Sequence, residues 1–290
     1  MEPLTFAVIG DLHVGSGSGP VQTLIRLVND RPLDFVLFLG DLTNQATEDE
    51  VAEFVEQVRR IDKPVYLAVG NHDTARFRDG FDIETRLGQM LPGPWSKSFT
   101  YAFRVKGWAF VVVTARSDRV DQVGYQVNNV KGFISEGGGI IRVPEEHMRR
   151  LERLLDETGD GPACLVTHVP LVPMPRRIFA RGCFDQVRYI EEHHLLSLLE
   201  HHPNVTLALA GHQHFNQVEV RNGVLHCVTQ GVRGYPPYQD PDGIRIVELE
   251  GSRVRSYLVW DGAAGEPPGA ISTLAGDRSF EWAFTGEDGT

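Results

Sequence analysis

The chain has 290 residues, 41% of them hydrophobic and 23% charged, with a formal net charge of -11. That length and apolar content allow a large buried core. The acidic balance, with no long Lys/Arg run and no aromatic RNA-binding signature, argues against extended nucleic acid as a partner, although a bound cation could still make room for a small anion.

Taken in chain order, residues 6–9 form a short apolar run, after which Val21, Leu24, Ile25 and Val28 recur at helical spacing. A second run covers 35–39. A Thr47/Glu50 capping box then opens a helix carrying Val51, Phe54, Val55 and Val58. A third run at 65–69 and a strand at 110–114 follow, and Pro144 starts a helix with Met148, Leu151, Leu154 and Leu155. Runs at 163–166 and 205–210 flank a helix carrying Leu195, Leu196 and Leu199. The runs are rich in Val, Leu and Phe and do not alternate, as expected of strands buried on both faces by helices. Alternation of strand and helix implies an α/β architecture.

Beyond His214 the strands come closer together and take on period-two content, at 217–220, 224–228, 244–249 and 254–259. They are expected to form a second, antiparallel-rich sheet, giving a layered α/β sandwich within one domain over 1–260. The Gly- and Pro-rich segment 261–290 is expected to pack as a peripheral extension. Two stretches, 117–140 and 170–186, fit no regular element and read as lids, substrate loops or plain surface excursions. Cys164, Cys183 and Cys227 lie far apart, in neither a disulfide framework nor a CxxC site, which fits a reducing cytoplasm. Met1-Glu2-Pro3 leads almost at once into the first run, and no stretch is apolar enough to span a bilayer. The expectation is a soluble, unprocessed cytoplasmic protein.

Five polar clusters each follow an apolar run: Asp11-Leu12-His13, Gly40-Asp41, Gly70-Asn71-His72-Asp73, Thr167-His168 and Gly211-His212-Gln213-His214. Ligands in α/β sheets collect beyond the carboxyl ends of the strands, so all five clusters fall where a site would form. Oxygen and imidazole donors without thiolate suit Mn, Fe, Zn, Co or Mg, and a carboxylate can bridge two ions where imidazole cannot. Two ions about 3.5–4 Å apart can bind the attacking and leaving oxygens of a phosphoryl centre. Each piece alone has a plainer reading: Asp41 as a turn and helix cap, Asn71 as a turn residue, His168 as a satisfied core histidine.

Together the motifs DxH, GD, GNHD, a later strand-end His and GHxH resemble the calcineurin-like metallophosphoesterase superfamily, over residues 10–214. The resemblance implies a four-layer αββα sandwich of two mixed sheets flanked by helices, with a dinuclear metal site at the C-terminal ends of the strands. By position it assigns one metal to Asp11, His13, Asp41 and His214. The second falls to Asp41, Asn71, His168 and His212, with Asp41 bridging. It further implies a metal-bridging hydroxide as nucleophile, with His72 beside the phosphate as acid or charge stabiliser and Asp73 orienting it.

Departures from relatives narrow the subfamily. Asn44 stands where purple acid phosphatases carry a metal-binding tyrosine, and Asp73 where phosphoprotein phosphatases have Glu. The closest look is that of bacterial class III cyclic-nucleotide phosphodiesterases and glycerophosphodiesterases, although many of those read GDL-x-D and HHPP where this chain has Asn44 and His168-Val169-Pro170. The implied activity is phosphodiester hydrolysis on a small molecule; phosphomonoesterase or nucleotidase action on the same site, and a noncatalytic scaffold, are the alternatives.

For the substrate, Arg76, Arg78, Arg116, Arg176, Arg177 and Arg233 lie in or near candidate rim loops and can pair with phosphate oxygens, or be solvated surface charges. Tyr125, Phe179, Phe184 and Tyr235 can cover an organic group. His193, His194, His201 and His202 read as a solvated helix face, and His147 and His226 as ordinary helix and strand residues.

Overall fold

The structure, a computed structural model, describes residues 2–16, 21–74, 82–118, 140–173, 191–232, 243–260, 263–264 and 279–283. One sheet is built on three parallel strands, β1 (Leu4–Ile9), β2 (Phe35–Leu39) and β3 (Val65–Ala68). The other is built on β5 (Trp108–Val112), β8 (Ala163–Val166), β9 (Val205–Ala210) and β11 (Val224–Val228), also parallel. Antiparallel strands border both. β12 (Gly243–Glu250) and β13 (Arg253–Trp260) continue the first sheet from β1, while β4 (Tyr101–Val105) and β10 (Gln217–Arg221) close the second.

Helices α1 (Val21–Asn29) and α2 (Glu48–Val58) bury apolar faces with the first sheet. α5 (Glu145–Asp156) and α6 (Glu192–His201) do the same on the second. The capping box of α2 is made: the Glu50 N–H donates to the Thr47 hydroxyl at 3.3 Å, and the Thr47 N–H to the Glu50 carboxylate at 3.1 Å.

The lack of alternation in the strands has a direct cause. Phe35 faces the second sheet, 5.2 Å ring to ring from Phe110, while Phe38 faces outward, 5.6 Å from Phe54 of α2. Phe6 stacks on Phe35 at 4.5 Å and meets Phe110 edge-on at 5.5 Å. In β5, Phe110 and Val112 join this inter-sheet core, whereas Ala109 and Val111 pack beneath α5 and α6. Every residue of β2, β5, β8 and β11 is buried, and each large side chain removed from water contributes about 1.5–3 kcal/mol.

The architecture is the expected pair of mixed sheets flanked by helices. The late strands differ from expectation. They form no sheet of their own: β10 and β11 extend the second sheet, while β12 pairs antiparallel with β1 in the first, Val8 opposite Arg245. Period-two content reports a half-covered strand and carries no information on its partner, so the division was not readable. The expected strand at 110–114 begins two residues earlier, as β5, and pairs with the unexpected β4.

From the stretch 117–140, residues at its two ends enter a small pair, β6 (Arg116–Asp118) with β7 (Ile140–Arg142); the rest lies outside the described residues, as do 174–186. Two short strands from 261–290, β14 (Ala263–Ala264) and β15 (Ser279–Ala283), pair with β13. Among the described residues no helix is long and apolar enough to cross a membrane. Cys164 and Cys227 are buried free thiols, and Cys183 lies outside the described residues.

Candidate metal centre

The parallel strands of both sheets deliver their following loops to one edge. Asp11 and His13 follow β1, Asp41 follows β2, and Asn71, His72 and Asp73 sit on α3 (Asn71–Thr74) after β3. His168 follows β8, and His212 and His214 follow β9. Five of these residues have left-handed backbones: Asp11 (φ 45°), His13 (47°), Asp41 (49°), His212 (67°) and His214 (49°). Such conformations cost about 1–3 kcal/mol each in non-glycine residues and persist where the surroundings over-determine them.

The loops approach too closely for side chains at Gly40 and Gly70. A Cβ at Gly40 (φ 95°) would lie 2.6 Å from His168 Nδ1, and one at Gly70 would lie 2.2 Å from Asp41 Oδ1 and 2.8 Å from His168 Nε2.

All the expected ligands except Asn71 fall into two carboxylate and histidine groups. In one, ligand atoms of Asp11, His13 and His214 lie within 4.8 Å of one another; in the other, those of Asp41, His168 and His212 do. Asn71 joins the second through Oδ1, 3.0 Å from His168 Nε2. Asp41 stands between the groups, Oδ1 3.3 Å from His168 Nε2 and Oδ2 3.6 Å from His13 Nε2.

The donor set calls for cations. His168 Nδ1 lies 2.8 Å from the Leu39 carbonyl, which only accepts, so Nδ1 carries hydrogen and Nε2 faces the site. Around that Nε2 converge Asn71 Oδ1, Asp41 Oδ1 and His212 Nδ1, the last at 3.2 Å. Acceptors gathered this tightly require a positive charge among them, whether proton or metal.

The ionisation of the residues shows the same demand. Burial opposes charge on His168, yet the Asp41 carboxylate beside it raises its pKa to about 9. Burial likewise pushes the Asp41 pKa upward, but His168 and then His13 hold it well below the usual carboxylate range. Asp11 behaves similarly: burial raises it, His214 outweighs that, and the net direction is down. Burial depresses His13 to about 4, against the pull of Asp41 and Asp11, so it is neutral and able to ligate. Its Nδ1 is buried without a hydrogen-bond partner. These residues fit two hard or borderline divalent ions.

Asp73 is a correction. It does not orient His72; its carboxylate accepts hydrogen bonds from the N–H groups of Gly70 (2.9 Å), Leu42 (3.1 Å) and Thr43 (2.9 Å) and from the Thr43 hydroxyl (2.9 Å). It therefore clamps the GNHD loop to the GD loop. The residue that orients His72 is Asn44, whose backbone carbonyl accepts from His72 Nδ1 at 2.7 Å, while the His72 N–H donates to Asp41 Oδ1 at 2.9 Å. A carbonyl partner leaves no motif signature. The His72 ring stands edge-on to His13 at 4.6 Å, and His13, Asp41 and His72 also lie within ligand distance of one another.

Behind the GHQH segment lies a network absent from the sequence reading. Arg245, fully buried, donates to Asn216 Oδ1 at 2.6 Å and to the Ser256 hydroxyl at 3.1 Å, and Asn216 exchanges hydrogen bonds with Gln230. The available signal was an arginine between Ile244 and Ile246 in an apolar strand.

Arg116, expected to contact substrate, forms ion pairs with Glu84 (3.4 Å) and Glu146 (3.6 Å). Arg76, Arg78, Arg176, Arg177, Arg233, Tyr125, Phe179, Phe184 and Tyr235 lie outside the described residues. His147 and His226 are buried, as ordinary helix and strand residues would be, and His194 pairs with Glu152 at 3.1 Å.

With this fold and donor set in place, the comparisons agree: the chain belongs to the calcineurin-like phosphoesterase family, which matches residues 4–216. It is 28% identical over 203 residues to a probable glycerophosphodiester phosphodiesterase, GpdQ, of Arcobacter nitrofigilis, covering 70% of this chain and 64% of that one. It is 23% identical over 271 residues to a probable cyclic nucleotide phosphodiesterase of a Synechococcus strain, covering 89% and 92%. Among solved structures, a dimetal phosphatase from Danio rerio shares the fold, with a TM-score of 0.63 at 15% identity over 97% and 99% of the two chains. Of three of the curated relatives it matches, the chain spans less than two thirds of the length, 35%, 64% and 41%. Family and relatives support a metal-dependent phosphoesterase.

Proposed function

We propose that this chain is a two-metal phosphodiesterase acting on a small diester, a cyclic nucleotide or a glycerophosphodiester. The observation that carries the two-metal part is Asp41, which directs one oxygen toward each histidine group. The diester part is supported by relatives named as glycerophosphodiester and cyclic nucleotide phosphodiesterases.

Asp11, His13, Asp41 and His214 would hold one ion; Asp41, Asn71, His168 and His212 the other. When bound, such a pair polarises the phosphoryl oxygens and makes a nucleophilic water available near neutral pH. The chain's own residues do the rest. Asp41 would share its charge between both ions, and through Oδ1 it holds the His72 backbone N–H. His212 links the two groups, its N–H donating to both oxygens of Asp11 at 3.0 Å. His72, with Nδ1–H given to Asn44, presents Nε2 as the nitrogen that donates a proton to the leaving alkoxide. Asp73 keeps the two loops in register so that His72 stays over the site.

The test is hydrolysis of bis(p-nitrophenyl) phosphate against p-nitrophenyl phosphate by chelated protein after separate addition of Mn, Fe, Zn, Co or Mg. The expected result is metal-dependent turnover that favours the diester. Preference for the monoester would move the activity to phosphomonoesters, and inactivity with every metal would overturn the enzymatic reading.

A further inference from the structure

A polar cleft of about 400 Å³ opens between the start of α4 (Ile83–Met90), the segment 95–98, Arg116 and one face of α5. It adjoins the metal centre without including its ligands: the carbonyl of Ala115, next to Arg116, accepts from the Thr74 hydroxyl at the end of α3. Its lining is charged and hydroxylic, with four cations, Lys97, Arg116, Arg150 and Arg153, against three acids, Asp82, Glu84 and Glu146. In a chain of net charge -11 that is a local reversal of sign.

The acids are already engaged. Asp82 caps α4, accepting from the N–H groups of Glu84 and Thr85 and from the Thr85 hydroxyl. Glu84 and Glu146 both pair with Arg116. Arg150 donates through Nε to the Thr100 carbonyl, and among the described residues its two terminal amino groups have no hydrogen-bond partner, so they are left to the cleft. Lys97 and Arg153 are exposed on its walls. His147, at its base, feels the same surplus: burial, then Arg116, lowers its pKa to about 4.

We infer that this cleft binds a small oxyanion of the phosphate-monoester type, separately from the metal centre. Two guanidinium forks and an ammonium suit a tetrahedral dianion with several acceptor oxygens. The volume lies within the ordinary range for small-ligand sites, about 300–1,000 Å³, and so admits an organic group beside the phosphate. The inference stands without the proposed diester activity.

The probe is inorganic phosphate, titrated calorimetrically into the Mn-loaded protein at ionic strength held constant with sodium chloride. Phosphate competition with bis(p-nitrophenyl) phosphate turnover, where there is turnover, reads binding at the metals. Wild type should show a binding class beyond that one, which persists in D41N. In K97Q/R153Q that class should weaken by about tenfold or more, the expected scale for losing two charge-assisted contacts. Both residues are exposed, so an unchanged melting temperature confirms folding, and turnover of the model diester should not change. A K97Q/R153Q isotherm identical to wild type would overturn the inference. So would binding that vanishes in D41N, or a signal reproduced by chloride alone.

Discussion

Asp41 and His168 meet at 3.3 Å in a fully buried contact, and the second oxygen of the same Asp41 carboxylate turns the other way, 3.6 Å from His13. One carboxylate therefore serves two histidine groups. Asp41→Ala should cost more than about 100-fold in kcat/KM, since changes to groups merely supporting a metal ligand cost about 10–100-fold. Bound metal, measured by elemental analysis, should fall to at most one ion per chain. Two retained ions would remove Asp41 from the bridging role.

His72→Ala should lower kcat by about 10²–10⁴-fold for diesters with an alkoxide leaving group, the ordinary reach of general acid catalysis. With p-nitrophenolate, which leaves without a proton, the deficit should shrink, and both metals should stay bound. Loss of a metal would instead make His72 a ligand, a role its distance from His13 and Asp41 permits.

Asp73→Asn preserves shape but presents an amide to four donors that now find a carboxylate. At least one buried N–H loses its acceptor, at about 1–3 kcal/mol. A lower melting temperature and weaker metal binding should appear together. Unchanged metal affinity would show that the two loops hold their register without this clamp.

Gly70→Ala tests the close approach of the loops. The new methyl would sit 2.2 Å from Asp41 Oδ1, inside any real contact, and must displace either that carboxylate or α3. The expected outcome is an intact far-ultraviolet circular dichroism spectrum with metal content and activity both sharply reduced. Full activity would mean that the loops have slack which the structure does not show.

His226, buried on β11, gives a pH prediction. Burial, then Arg221, lowers its pKa from 6.5 to about 4, so between those values the unfolded chain binds the proton that the folded chain refuses. Its contribution to stability is complete above about pH 6.5 and is lost as pH falls toward 4, up to about 3 kcal/mol at the limit. In chelator, to exclude metal linkage, His226→Leu should flatten the fall of melting temperature over that window. A parallel curve would assign the acid sensitivity elsewhere.

Much of this was legible in the linear chain because the signals are local. Strands buried on both faces carry unbroken apolar runs, and β2, β8 and β9 fall where the runs placed them. The capping box of α2 spans four residues. The ligands directly follow buried strands, so finding the strands also found Asp11, Asp41, His168 and His212.

Pairing between distant segments had no such trace. Whether β12 joins β1 or its own sheet depends on which edge is uncovered once helices have packed, a property of the assembled layers. Leu42 and Thr43, which Asp73 clamps, lie 31 and 30 residues from it and the partners of Arg245 are up to 29 away, and backbone N–H groups and carbonyls look alike in every sequence. Thus the sequence by itself determined the strand runs, the helix starts and the donor types at each strand end. Tertiary structure alone decided the sheet assignment of β10 to β13, the clamp formed by Asp73, the hold of Asn44 on His72 and the diversion of Arg116 to Glu84, because each depends on backbone groups or charges that only folding brings into contact.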